Sequence, residues 1–384
     1  MADNAKLANK TVGNGSMIGL ALSGGGSRAM AFHLGCLKAL NDMKLLEKIG
    51  VISTISGGSI IGAYYAYTPE KSFDEFELDM RRFLREGFHR RIFLELSKPN
   101  NLFPCIGSSF MTYVCGVAAL LNKRQLKPQR YPSRTDIFHK VLRRDVFNGL
   151  TMRSPRRNNI EVVIGACELR TGSAFRFGND KSGSWRQGEM VMRDIDVAFA
   201  VTASAAYPIF LPALDRTFKF HKDSQEKEHR VLLTDGGVYD NLGIKVLEPK
   251  RDSNISLHTF PCDYLISCNA DQGQESGECI PNAFASRIAR SFEIVYKRVQ
   301  DSTMHRLHHL KEAGLIKGFV LPYLGQQDSR LPRKPENLIA REEVVDYPTD
   351  FASMSDIWID KLCDRGEQLT RLLVSCYLQD LITA

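Results

Sequence analysis

Met17-Ile-Gly-Leu-Ala-Leu22, running into Ser23-Gly24-Gly25-Gly26-Ser27-Arg28, is the stretch that decides the fold class. A short apolar run that ends on glycines reads as a buried strand followed by a tight loop. From Arg28 to Leu46 the apolar residues Met30, Leu34, Leu37 and Leu40 recur at close to helical period. Val51-Ile52-Ser53-Thr54 reads as a second strand, then comes a turn of small residues and the apolar segment Ile60 to Tyr67. Strand, helix, strand and helix in this order open an α/β domain with a parallel sheet.

The same pattern continues outward. Strands are expected at Ile160–Cys167, Ala174–Phe177, Val231–Thr234, Tyr264–Ser267 and Gly318–Leu321. Helices are expected at Asp74–Phe88, from a Thr135-Asp136 cap to Phe147, at Ile280–Ala313 and at Ser355–Leu381. The alternation predicts one α/β core with a mostly parallel sheet: a catalytic domain over 16–270, an insert at 81–157 and an α-rich part, 271–384, packed on the same domain.

Composition narrows the classes. Of 384 residues, 43% are hydrophobic and 25% charged, which is enough apolar material for a sizeable core. No run reaches the roughly 18 apolar residues of a membrane-spanning helix. Residues 1–15 are polar, lack the apolar centre of a signal peptide and read as a flexible arm. The nine cysteines never form a C-x-x-C pair, so reduced thiols are expected rather than disulfides or a zinc site. Together these features predict a cytoplasmic protein that is not secreted.

The net charge of +7 is unevenly spread. Between Arg81 and Arg157 there are 17 Lys or Arg residues and only four acids, Glu86, Glu95, Asp136 and Asp145. Such a stretch is either a solvated basic surface or a patch for an anionic partner. Nucleic acid is disfavoured, because no RNA-binding signature, zinc-finger spacing or aromatic–basic interleaving is present. The stretch also holds a 12-residue apolar run, Phe110 to Leu121, bracketed by basic residues. It is too short to span a bilayer and reads as a buried helix or as a lip touching membrane or acyl chains.

Three motifs carry chemistry. In Thr54-Ile55-Ser56-Gly57-Gly58-Ser59 a strand enters a small-residue turn and a helix leaves. That is the setting of a nucleophile elbow, G-x-S-x-G, with Thr54 in place of the leading Gly and Gly58 at the trailing one. The plain alternative is a Gly-Ser-rich turn between strand and helix. The Gly24-Gly25-Gly26 loop exposes backbone N–H groups at a helix start, which suits the oxyanion of an acyl-transfer intermediate. One such donor is typically worth about 3 kcal/mol of barrier. A dinucleotide loop, Gly24-x-Gly26-x-x-Ala29, is disfavoured because the second strand ends without an acid.

Ser56 needs a base to activate it. His33 falls inside the first helix, and His305, His308 and His309 share a polar helix. No histidine sits in a glycine-bounded loop after a strand. A carboxylate does, in Val231-Leu-Leu-Thr-Asp235-Gly236-Gly237. An Asp at the end of a buried strand faces the same sheet edge as the elbow, and it can take the proton directly if it lies within hydrogen-bond reach. A turn without catalytic work is the alternative for this motif alone.

Taken in order, these blocks resemble the patatin-like phospholipase family of lipid acyl hydrolases. The matching residues are Gly24-Gly25-Gly26-Ser27-Arg28, Ser56-Gly57-Gly58 and Asp235-Gly236-Gly237, together with Ala203-Ser204-Ala205-Ala206-Tyr207-Pro208, which is similar to the family's Ala-Ser-x-Ala-x-Pro segment. The resemblance covers roughly residues 17–270. It implies a three-layer αβα fold and a Ser–Asp dyad, with Ser56 as nucleophile and Asp235 as base. It further implies that the Gly24–Gly26 amides bind the oxyanion, helped by Arg28, and that Gly57, Gly58, Gly236 and Gly237 support the turns. No cofactor or metal is implied. The expected partner is a phospholipid membrane surface with anionic head groups, met peripherally by the basic insert. A soluble esterase or thioesterase, or a catalytically silent lipid-binding protein, are the competing readings. Head-group preference, oligomeric state and any activating ligand or protein are not encoded in a recognisable motif.

Overall fold

In the computed structural model of the chain, residues 16–68, 72–107, 110, 132–153, 155, 157, 160–208, 210–273, 277 and 282–383 are described. The expected arm at 1–15 lies outside them, as does the Phe110–Leu121 run apart from Phe110.

The central strands are β1 (Ile18–Leu22), β2 (Ile49–Ile55), β3 (Glu161–Glu168), β9 (Tyr264–Cys268) and β10 (Gly318–Val320). They pair in parallel in the order β10-β9-β1-β2-β3. Their side chains alternate between two cores. Ile18, Leu20, Leu22, Ile52 and Ile266 face one, while Met17, Ala21, Val51, Val163 and Leu265 face the other. Both faces are covered, so β1 and β2 read as nearly continuous apolar runs rather than as half-buried ones.

Helix α1 (Gly26–Asp42) follows β1 and packs against α2 (Gly57–Tyr67), α3 (Phe73–Glu86) and the late helix α9 (Asp356–Tyr377). Every residue of α2 is buried, as expected of a helix apolar all round. The other face is covered in part by Leu307 and Leu310 of the long helix α8 (Phe284–Glu312).

The sheet is not mostly parallel, and this corrects the expectation. Beyond β3 come β4 (Ser173–Gly178), β5 (Ser182–Ser184), β6 (Gly188–Met190), β7 (Leu214–Lys222) and β8 (Gln225–Asp235), all antiparallel. Strand β8 returns to β3, so β3 to β8 close into a six-stranded antiparallel barrel attached to the parallel half. The cause is connection length. Parallel neighbours need a crossover of a dozen residues or more, whereas β3 to β6 and β7 to β8 follow one another through tight turns, the β6–β7 link over 191–213 being the long one. The β7–β8 turn, Asp223-Ser224, has both residues at positive φ, which matches the twist of a two-residue hairpin without a glycine to announce it. Strands β5 and β6 have three residues each, too few for a period to show.

The basic stretch is largely helical where described, with α3, α4 (His89–Leu96) and α5 (Arg134–Asp145). Its charge is partly offset by acids from elsewhere in the chain. Arg81 pairs with Asp360, Arg85 with Asp356, Arg143 with Asp196 and Arg153 with Asp194. Among the described residues, no helix is long and apolar enough to cross a membrane. Helix α6 (Val197–Ser204) and α7 (Gly237–Asp240) complete the elements around the site.

Candidate active site

Strand register brings the serine and the carboxylate together. Strand β2 runs along one edge of β3 and ends with Ile55 opposite Gly165. Strand β8 takes over that edge, with Asp235 opposite Ala166. Residue 56 therefore leaves the sheet where residue 235 arrives, one step apart along β3.

Ser56 is the residue between β2 and α2 and holds φ 51° and ψ −119°. A non-glycine residue in that region costs of order 1–3 kcal/mol and persists only where the surroundings impose it. Two things impose it here. Gly57 packs against the backbone of Gly26, where a Cβ would collide. The Ser56 N–H donates to Ser204 Oγ at 2.9 Å, and Ser204 Oγ lies 2.8 Å from Ser59 Oγ.

The Ala203–Pro208 segment thereby reaches both halves of the site. The Gly236 N–H donates to the Ser204 carbonyl at 3.1 Å, and the Asp235 N–H to the Ala206 carbonyl at 3.0 Å. Ser204→Ala removes the clamp on Ser56 while leaving the backbone bonds. It is expected to lower kcat about 10- to 100-fold with KM little changed, because the serine oxygen is displaced rather than removed. Steady-state kinetics check this.

Asp235 is buried, and burial pushes its carboxyl up to about 6 against the opposing hydrogen bonds from the Ser56 side chain and the Gly237 N–H. The Gly237 N–H donates to Asp235 Oδ1 at 2.7 Å. A buried carboxylate so placed can accept a proton from a hydroxyl within hydrogen-bond reach. Burial and the Asp235 charge push the Tyr296 phenol well above its usual range, so it stays neutral beside Gly237.

The glycine loop sits against the serine. A Cβ on Gly24 would lie 3.2 Å from Ser56 Cβ. The Gly24 N–H is itself occupied, at 3.3 Å from the Asn241 carbonyl and 3.2 Å from Asn241 Oδ1. Arg28 is buried and clamps the loop from below, with Nε donating to the Ala270 carbonyl at 3.0 Å and an Nη to the Tyr347 carbonyl at 2.9 Å. His33 is a packed helix residue whose Nε2 lies 3.0 Å from the Ser23 carbonyl.

Thr54, the departure from the elbow pattern, is accommodated by a glycine further on. Its methyl lies 2.5 Å from where a Cβ at Gly62 would be, so the missing side chain on α2 supplies the room.

The site opens into a cavity of about 580 Å³. Ser56, Asp235 and the three glycines lie on its wall with Ile92, Phe138, Tyr207, Phe210, Leu211 and Phe351, and His89 is the histidine that reaches it. Sequence reasoning missed Asn241 and Tyr296. Asn241 follows the Asp-Gly-Gly turn closely enough to have been noticed, but Tyr296 arrives from α8 and left no local signal.

The model of the Patatin-like phospholipase family matches residues 20–248. No curated protein is similar enough in sequence to match. The fold is similar to that of human GIVD cytosolic phospholipase A2, with TM-score 0.55 and 13% identity over 96% of this chain and 60% of that one. This chain therefore spans less than two thirds of the human protein's length. Weaker likenesses extend to VipD from Legionella pneumophila (TM-score 0.33, 13% identity, 96% of this chain and 70% of that one) and to the type III effector protein ExoU (0.36, 13%, 96% and 54%). These structural likenesses concern the fold alone, but the family match spans more than half of the residues, and by it the chain belongs to the patatin-like phospholipase family.

Proposed function

We propose that the protein hydrolyses fatty-acyl esters of membrane phospholipids through a Ser56–Asp235 dyad. The observation that carries this reading is the strand register that sets Ser56 one step from the buried, weakly acidic Asp235 on the wall of one largely apolar cavity. Family membership supports lipid-ester hydrolysis in general. In this reading Asp235 takes the hydroxyl proton as Ser56 Oγ attacks the ester carbonyl. The negative charge that develops on the carbonyl oxygen is held by the N–H groups of Gly25 and Gly26, since that of Gly24 is engaged by Asn241. Asp235 returns the proton to the leaving alcohol, and the acyl group stays on Ser56. Water, deprotonated by Asp235, then releases the fatty acid. Arg28 holds the loop in place rather than touching the oxyanion.

The membrane surface is the proposed partner. Phe93, Phe103 and Ile106 are exposed in the basic stretch, close in sequence to the cavity-lining His89 and Ile92. Apolar side chains beside cations suit an anionic interface.

Fatty-acid release from mixed phospholipid vesicles tests the reading. The parent is expected to release fatty acid and Ser56→Ala to be inactive while folded. The rate should fall about tenfold per pH unit below about pH 6, as Asp235 becomes protonated, and level off above it. Release undiminished in Ser56→Ala, or a silent parent, would overturn it. A rate that does not rise when the substrate aggregates would favour a soluble esterase instead.

A further inference from the structure

Helix α8 separates two depressions. One side carries Tyr296 and Lys297 into the catalytic cavity, and its Gln300 accepts from Asn241 Nδ2 at 3.1 Å. The other side borders a groove of about 660 Å³, floored by Tyr239 and the 245–251 loop. Four cations line this groove, Lys245, Arg251, Arg298 and Arg306, against one carboxylate, Glu248, which is already paired with Arg306 at 2.8 Å.

Lys245 Nζ donates to the Tyr239 carbonyl at 3.3 Å, so with Arg306 paired the under-satisfied side of the groove is that of Arg251. Arg251 Nε is buried and has no hydrogen-bond partner among the described residues. Arg176 lies nearby, itself buried, and donates to the neutral Ser256 Oγ at 3.2 Å, with Asp240 the one carboxylate that offsets its charge among the described residues. Burial and repulsion from Arg251 bring the Arg176 guanidinium down to about 10. Guanidinium groups held together with too little negative charge are costly unless an anion completes them. Arginine's planar fork matches phosphate oxygens in pairs. Beside the cations, Ile294, Val295 and Val299 leave an apolar strip exposed along α8.

We propose that this groove is a second ligand site, which binds a phosphate group on Arg251 and Arg298 with the ligand's apolar part along Ile294, Val295 and Val299. It is distinct from the catalytic cavity and does not depend on the dyad. Its floor, Tyr239, bonds back to the Gly236 carbonyl at 3.0 Å, so an occupant would brace the turn that carries Asp235.

The full chain is titrated with inorganic phosphate and glycerol phosphate, and with phosphatidylcholine vesicles with or without phosphatidic acid. Saturable binding is expected for the soluble phosphates, for the phosphatidic acid vesicles, or for both, and this pattern tells a free phosphate from a lipid head group. Arg251→Gln/Arg298→Gln should weaken binding about tenfold or more, as expected for lost charge-assisted bonds. Arg330→Gln/Arg333→Gln removes equal charge at exposed positions outside both the groove and the basic stretch and should leave it unchanged. In the parent, hydrogen exchange should slow in 239–251 and 294–306, which tests the site even if a variant fails to fold. No saturable binding by any probe, equal loss in both double variants, or protection centred on the glycine loop and Ser56 would each overturn the proposal.

Discussion

Asp235→Asn is expected to cut fatty-acid release by about 10²–10⁴-fold and, at neutral pH, to make the protein more stable. The first effect follows from removing a general base. The second follows from what burial does to the carboxyl, which ionises near 6 in the folded protein against an ordinary value of 3.8. Between those two pH values the folded state keeps a proton that the unfolded state has lost, so stability falls as pH rises through the interval. Above about pH 6 the full cost of a buried carboxylate is present, on the order of 3 kcal/mol. Asparagine keeps an acceptor for the Gly237 N–H and carries no charge. Its extra N–H groups offset part of the gain, so about 1–3 kcal/mol is expected. Thermal unfolding at about pH 7.5 should show a higher Tm for the variant, and near pH 4 the advantage should be lost or slightly reversed. A variant less stable than the parent at neutral pH would mean that the carboxylate is held by more favourable contacts than these. A folded variant that keeps full activity would move the base role to another group, with His89 the histidine lining the cavity.

Gly26→Ala is expected to be damaging twice over. Gly26 has φ 59°, where an alanine costs about 1–2 kcal/mol. Its Cβ would also collide with the carbonyl of Asp350, the same oxygen that accepts the Ser27 N–H at 2.7 Å. Relieving the collision moves the start of α1 and the amides beside Ser56 together. A loss of about 2–4 kcal/mol of stability and about 10²–10³-fold of rate is expected. Gly149→Ala is the internal control, since Gly149 has φ 72° and open space around it. It should lose about 1 kcal/mol and no activity. Equal losses of activity in the two variants would show that the Asp350 contact does not position the loop.

Several elements were legible because their signal is local. Strands β1, β2, β3, β4 and β9 were expected within about two residues of their bounds, as were α3 and α5, while α1 ends four residues before the expected Leu46. The elbow, the glycine loop and the Asp-Gly-Gly turn are short-range devices, each with its small residues fixed by a nearby backbone. Strand β7 was missed although Leu214, Phe218 and Phe220 alternate, because charged residues surround them. The charge of the basic stretch is legible in the sequence, but its partial offset by Asp194, Asp196, Asp356 and Asp360 depends on contacts across the fold.

The amino-acid sequence by itself determined the alternation of strands and helices and the turn motifs that single out Ser56 and Asp235 as the candidate pair. These rest on periodicity and turn chemistry, which act over a few residues. The tertiary structure alone decided that the sheet closes into a barrel on one side. It also decided that β8 continues the edge of β3 where β2 leaves it, which sets Asp235 beside Ser56 across 179 positions of chain. Strand partners far apart in sequence are chosen by the packing of two cores at once, and no short stretch carries that information.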